Sequence, residues 1–162
     1  MLQKELLSEI EAYISLHLHN TIDLCLEAPQ NIYNEELVPN ELEDFITINR
    51  KPTLNQILFQ FIDEKGVNDS AVYKKAGLDR RHFSKIRSNP DYHPKKPTLI
   101  SLALALELDR DDAEDLLNTA GYSLSESETF DLIIQFCLNK KIYDLHIVNE
   151  ILHYYELKPL NA

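Results

Sequence analysis

Glycine is scarce in this sequence, since the chain of 162 residues contains only three. Glycine supplies the positive φ angles of tight hairpin turns and lets a backbone loop approach a phosphate group closely. We therefore expect no hairpin-rich sheet, no P-loop and no dinucleotide-binding loop. The hydrophobic share of 44% and the charged share of 27% are typical of a globular protein with a sizeable core. These features favour an all-α fold.

Membrane spans, secretion signals and catalytic motifs are also missing from the pattern. No run of 18 apolar residues occurs, and the N-terminus lacks the basic start of a signal peptide. The two cysteines, Cys25 and Cys137, lack the CxxC spacing of a metal or redox pair, so we expect free thiols and a cytoplasmic protein. We find no nucleophile elbow, zinc helix or histidine pair with ligand spacing. No metal or cofactor is expected, and an enzyme is the least favoured class of function.

The net charge of −11 taken alone argues against nucleic acid as a partner, but the charges are unevenly distributed. Residues 1–49 hold 1 basic and 10 acidic residues, and residues 99–162 hold 4 basic and 12 acidic residues. Residues 50–98 hold 11 basic and 5 acidic residues. Because the local field decides what docks on a surface, the central region is predicted to bind nucleic acid or the flanking acidic segments. An unevenly charged, solvated surface is the simpler alternative.

Apolar residues recur at helical spacing along most of the chain, and no strand is needed. The pattern predicts three parts: an acidic N-terminal helical segment (1–49), a five-helix bundle (50–122) and a C-terminal helical hairpin (123–162). In the first part we expect a helix over 2–18 and a short helix over Asn40–Asn49. The hairpin, with its first helix opened by Ser125 and Glu128, either packs on the bundle or forms a dimer surface through Phe130, Ile134, Val148, Ile151 and Tyr155.

Capping patterns place the five helices of the bundle. Thr53 and Gln56 form a capping box, and Gly66 occupies the position where a left-handed residue ends a helix. The second helix begins at Asn68 or Asp69 and ends at Gly77. The remaining helices are predicted from Asp79 to about Arg87, from Thr98 to Leu108, and from about Asp111 to Ala120.

Two short helices between Asn68 and Ser88 have the pattern of a steeply crossing pair joined by a tight turn. The apolar positions expected to face inward are Val72, Ala76, Leu78, Phe83 and Ile86. Gly77 lies where the chain must reverse and where a positive φ is needed. The outward face of the helix that begins at Asp79, the third of the bundle, then carries Arg80, Arg81, Ser84, Lys85 and Arg87. This face is densely cationic, and the positive end of the helix dipole also favours anions.

These residues resemble the Cro/phage-repressor (XRE) helix-turn-helix family over about residues 54–120. The run Val72-Tyr73-Lys74-Lys75-Ala76-Gly77-Leu78-Asp79-Arg80 is similar to the start of the family's helix-turn-helix. Phe83-Ser84-Lys85-Ile86 is similar to its recognition helix, and Pro97-Thr98 followed by Leu102-Ala103-Leu104-Ala105-Leu106 is similar to its fourth helix. The resemblance implies a five-helix repressor-like bundle that places its third helix in the major groove of DNA.

The resemblance also implies roles for individual residues. By position, Arg80, Arg81, Ser84 and Lys85 would face base edges, whereas Arg87, Lys95 and Lys96 would contact phosphates. Two positions and one loop depart from the family, and the loop, from Ser88 to Lys96, is long. Asp69 stands where the family often has Gln near a phosphate, so that this contact is lost or becomes repulsive, and Tyr73 stands where the family prefers Ala.

Two functions are therefore carried forward. The first is a sequence-specific DNA-binding regulator of transcription in bacteria, with a homodimer as one way of gaining affinity over two half-sites. The second is a protein-interaction module, such as an adaptor or antitoxin-like partner, whose acidic segments bind a basic protein. In an intermediate hypothesis, residues 1–49 cover the basic face of the same chain.

Overall fold

The computed structural model describes residues 37–161, and these residues form helices, turns and loops without a strand. The predicted helix over 2–18 and Cys25 lie outside the described residues. The chain divides into two units, residues 1–50 and 51–162. In the first unit the described element is helix α1 (Leu37–Asn49), which begins three residues earlier than predicted. The all-α fold class is confirmed for the described part of the chain.

The second unit contains seven helices that share one apolar core. They are α2 (Leu54–Lys65), α3 (Asp69–Lys75), α4 (Arg80–Ser88), α5 (Lys96–Ala105), α6 (Arg110–Thr119), α7 (Thr129–Asn139) and α8 (Leu145–Tyr154). Between residues 37 and 161, no helix is both long and apolar enough to cross a membrane.

The predicted capping signals form the helix ends of the bundle. The Gln56 N–H donates to Thr53 Oγ1 over 3.4 Å, and the Thr53 N–H donates to Gln56 Oε1 over 2.9 Å, which completes the capping box. Gly66 ends α2 with a left-handed φ of 62°. Asn68 caps α3 and Asp79 caps α4, and the side chain of each accepts a hydrogen bond from a backbone N–H in the first turn of its helix. These contacts occur between residues two or three positions apart, so the sequence pattern predicts them well.

Helix α5 is displaced toward the N-terminus relative to its predicted range of Thr98–Leu108, which is wrong at both ends. Pro97 lies in the first turn of α5, where its missing N–H costs no hydrogen bond and its fixed φ suits the helix. At the other end Glu107 adopts a left-handed φ of 52°, which terminates the helix before Leu108.

The predicted opening of the tail helix also differs from the structure. Helix α7 begins at Thr129, and neither Ser125 nor Glu128 caps it through a side chain. Instead, the Ser125 N–H donates to Asp131 Oδ2 over 2.8 Å. The Asp131 carboxylate, inside the first turn of α7, therefore binds the loop that precedes the helix. The opposite was expected, namely that a side chain of this loop would cap the helix.

The predicted inward face of α3 and α4 is confirmed. Val72, Ala76, Phe83 and Ile86 are buried, and Leu78 in the connecting turn is half-buried against the same core. Gly77 in that turn has a φ of 66°, as the reversal requires.

The C-terminal hairpin packs on the bundle and supplies part of its core. Ile134 and Val148 are buried, while the exposed Tyr155 lies just beyond the end of α8. Beyond α8 the chain returns to the turn between α3 and α4, where Asn161 Nδ2 donates to the Ala76 carbonyl over 2.6 Å.

Candidate nucleic-acid interface

Helix α4 is held in a fixed rotation by its apolar side. Phe83 and Ile86 are buried, and the Phe83 ring packs against Tyr73 at 5.8 Å and Phe59 at 6.3 Å between ring centroids. Tyr73, the residue that departs from the family preference for Ala, is thus accommodated by packing half-buried on Phe83. Because this side faces the core, the opposite side of α4 faces solvent.

The C-terminal end of α4 is held by a side chain from α2. Asn55 Nδ2 donates to the carbonyl oxygens of Ile86 over 2.7 Å and of Arg87 over 2.9 Å. The last carbonyls of a helix lack partners within the helix, and Asn55 supplies them. The sequence pattern did not single out Asn55, because its partners lie 31 and 32 residues away.

The outward side of α4 presents four exposed polar side chains that were predicted to face base edges: Arg80, Arg81, Ser84 and Lys85. Arg80 and Arg81 lie in the first turn, where the helix dipole favours an anionic ligand. Within residues 37–161, no ion pair joins either guanidinium group to a carboxylate. Both groups therefore retain their hydrogen-bonding capacity for a ligand.

Lys85 contacts the loop that follows α4. Its Nζ atom lies 4.4 Å from the centroid of the Tyr92 ring, and the Tyr92 hydroxyl lies 3.1 Å from His82 Nε2. The half-buried Tyr92 thus joins the loop to α4 on the same side that carries Lys85. A cation–π contact of about 0.5–1 kcal/mol is weak enough to be exchanged for a phosphate. The sequence pattern did not identify His82 or Tyr92 as supports of this face.

Arg87 has partners inside the protein. It forms an ion pair with Asp69 at the start of α3, and its guanidinium carbon lies 4.7 Å from the centroid of the Phe59 ring. Asp69 was expected to oppose a phosphate, and in the structure it neutralises a cation that was predicted to bind one. Arg87 consequently links α3 and α4.

The two predicted phosphate contacts of the loop differ in their surroundings. Lys95 is exposed and provides the backbone cap of α5. Lys96 Nζ donates to Asp131 Oδ2 over 2.7 Å, and only 25% of its side chain is exposed. The structure therefore leaves Lys95 accessible and places Lys96 in a contact between α5 and α7.

Shifted pKa values occur outside this face. The ammonium group of Lys75 hydrogen-bonds Glu107 and lowers the pKa of that carboxyl. Burial raises the pKa of the Cys137 thiol, which makes it a poor nucleophile. In the described part of the chain, no group of three His, Cys, Asp or Glu side chains is arranged to hold a metal ion. The chemistry that this face offers is hydrogen bonding and charge.

Comparison with known proteins adds no relative. No protein-family model matches the chain, and no curated protein or solved structure matches it either.

Proposed function

We propose that this protein is a sequence-specific DNA-binding transcriptional regulator of the Cro/phage-repressor helix-turn-helix type. In this proposal α3 and α4 are the two helices of the motif, and α4 enters the major groove. One observation carries the proposal: Arg80 and Arg81 are exposed in the first turn of α4 and form no ion pair within residues 37–161. The N-terminal residues of a recognition helix are the ones that contact base edges.

The exposed side chains have the chemistry that major-groove recognition requires. Arginine donates two parallel hydrogen bonds to the O6 and N7 atoms of guanine, and serine pairs with several bases. Arg80, Arg81, Ser84 and Lys85 are assigned to base edges, and Lys95 is assigned to a phosphate. Phosphate contacts supply affinity and register, whereas base contacts supply sequence choice.

The supports of α4 favour recognition by a rigid element. The buried Phe83 and Ile86 and the two hydrogen bonds from Asn55 limit the movement of α4. A side chain on a fixed helix loses less conformational freedom on binding than one on a loop. In this proposal Asp69 competes with a phosphate for Arg87, which contacts DNA only when its pair with Asp69 opens.

Fluorescence anisotropy with a labelled random-sequence duplex, measured over a series of salt concentrations, tests the proposal. We expect the full chain to bind the duplex, and we expect the logarithm of its association constant to fall linearly with the logarithm of the salt concentration. The double substitution Arg80→Glu/Arg81→Glu should weaken binding by about 10- to 100-fold, because it replaces two attractive charges with two repulsive ones.

A matched control separates a defined site from net charge. Lys51→Glu/Lys158→Glu changes the net charge by the same amount at two exposed lysines outside α4. Its affinity should remain within a few-fold of the unmodified chain, because neither lysine belongs to the side of α4 that is assigned to DNA. Equal losses in the two double variants, or no salt-sensitive binding by the unmodified chain, would sink the proposal.

A second candidate function, a protein-interaction module, is favoured by α1. Leu42, Phe45 and Ile46 are exposed on one face of this helix, at positions i, i+3 and i+4. The helix also carries the exposed acidic side chains of Glu43 and Asp44. An acidic amphipathic helix suits an apolar groove with a basic rim on another protein. Absence of DNA binding at low salt in the experiment above would favour this function over the first.

A further inference from the structure

An apolar groove lies open between α7 and α8. Leu132, Phe136 and Tyr155 line it and are each about half exposed, at 45%, 53% and 54%. Ile133 and Ile151 also line the groove, which encloses about 330 Å³. Large apolar side chains grouped in this way are unusual on the surface of a monomer and mark sites of association.

The apolar surface extends beyond the groove. Ile147 lies one helical turn before Ile151 and is 45% exposed, and the Tyr154 ring packs edge-on against Tyr155 at 5.3 Å between centroids. Together with Leu132 and Phe136, these side chains expose roughly 500 Å², which is in the upper range for the largest apolar patch of a monomer. Two such patches facing each other would bury roughly 1,000 Å². The polar residues around the patches would add to this buried area and bring the total toward that of a stable interface.

The charges at the two ends of α7 are complementary to each other. Glu128 lies exposed before its first turn, four residues before Leu132, and Lys140 lies exposed after its last turn, four residues after Phe136. A partner of one charge would be repelled at one end of this surface. A second α7 related by a two-fold axis perpendicular to the helix would run antiparallel and place each acidic end opposite a basic end.

We propose that the groove is occupied by the same surface of a second copy of this chain. In this homodimer the two α7 helices pack antiparallel, with their apolar side chains at the centre and their charged ends paired at the rim. The charge pattern identifies a second copy as the occupant, and the area reaches the lower limit of a specific interface. The inference does not depend on DNA binding, because the surface includes no residue of α4.

Sedimentation equilibrium of the full chain, from low to high micromolar concentration, tests the dimer. We expect a concentration-dependent dimer whose dissociation constant rises by about 100-fold in Phe136→Glu. The substitution occurs in both copies of a two-fold dimer, and the loss of each buried Phe136 ring costs about tenfold in affinity. Val67→Glu is the matched control: Val67 is 40% exposed in the connection between α2 and α3, and its substitution should leave dimerisation unchanged.

A second substitution guards against misfolding of the first. Tyr155 lies just after the end of α8, so Tyr155→Glu perturbs no buried helix position and should also weaken the dimer. Circular dichroism verifies the helix content of each variant. A monomer at every concentration of the unmodified chain, or unchanged dimerisation of folded Phe136→Glu and Tyr155→Glu, would overturn the proposal.

Charge reversal tests the antiparallel arrangement itself. Glu128→Lys alone and Lys140→Glu alone should each weaken the dimer by about 2- to 10-fold, because each replaces two rim attractions with repulsions. Both reversals in one chain restore opposite charges across an antiparallel pair, so the affinity should return toward that of the unmodified chain. If the double variant is instead weaker than either single variant, the antiparallel dimer is wrong.

Discussion

Replacing Lys96 with methionine should destabilise the protein far more than the same change at its neighbour Lys95. Lys96 Nζ lies 2.7 Å from Asp131 Oδ2, and the side chain of Asp131 is only 3% exposed. Asp131 Oδ2 accepts hydrogen bonds from Lys96 Nζ and from the Ser125 N–H. Without Lys96, a buried carboxylate would retain one backbone donor and lose its counter-charge.

The expected cost follows from the burial of the two partners. Removing one partner of a fully buried ion pair costs about 3–5 kcal/mol. Lys96 is one-quarter exposed, so water replaces part of its stabilisation, and we expect Lys96→Met to lower the free energy of unfolding by about 2–3 kcal/mol. Lys95 is exposed, and Lys95→Met should change the free energy by less than about 0.5 kcal/mol.

Urea denaturation followed by far-ultraviolet circular dichroism measures this difference. With a typical dependence of about 1–3 kcal/mol per molar urea, the midpoint of Lys96→Met should fall by about 0.7–3 M. Lys96→Met/Asp131→Leu should recover most of the loss, because no charge is then left buried. Equal midpoints for the two lysine variants would refute the reasoning, as would a double variant less stable than Lys96→Met.

Three further predictions concern other parts of the chain. Gly66→Ala should cost about 1 kcal/mol of unfolding free energy, because Gly66 has a positive φ. Gly77→Ala should cost about 2–3 kcal/mol, because Gly77 also has a positive φ and its added Cβ would lie 2.6 Å from Asn161 Nδ2 and displace that atom from the Ala76 carbonyl. In a variant whose only cysteine is Cys137, a thiol reagent at about pH 8 should react only after unfolding, since burial raises the pKa of this thiol and shields it. Asp69→Asn should tighten duplex binding by about 2- to 5-fold, because it removes a negative charge and frees Arg87; weaker binding would contradict the assigned role of Asp69.

Local signals explain which parts of the fold the sequence predicts. The capping box of Thr53 and Gln56 and the cap at Asp79 depend on residues at most three positions apart, so their geometry follows from the helix itself. The inward face of α3 and α4 follows from the helical period. Both ends of α5 differ from the prediction, which followed the run of apolar residues. The ends are set instead by the backbone conformations of Pro97 and Glu107.

Contacts between distant residues explain what the sequence does not reveal. Lys96 and Asp131 lie 35 residues apart, so position alone assigned Lys96 to a phosphate. Helix α7 is apolar on two sides, and the period cannot say which side the bundle covers. In the structure Ile134 is buried and Phe136 is exposed, so the accessible surface differs from the one expected.

The most direct test of the central claim is a nuclear magnetic resonance titration of the isotope-labelled full chain with duplex DNA. If α4 enters the major groove, the largest changes in amide chemical shift should occur at Arg80, Arg81 and Ser84, with only small changes along α7 and α8. Shifts confined to other helices, or no shifts at low salt, would contradict the proposal that this face binds DNA.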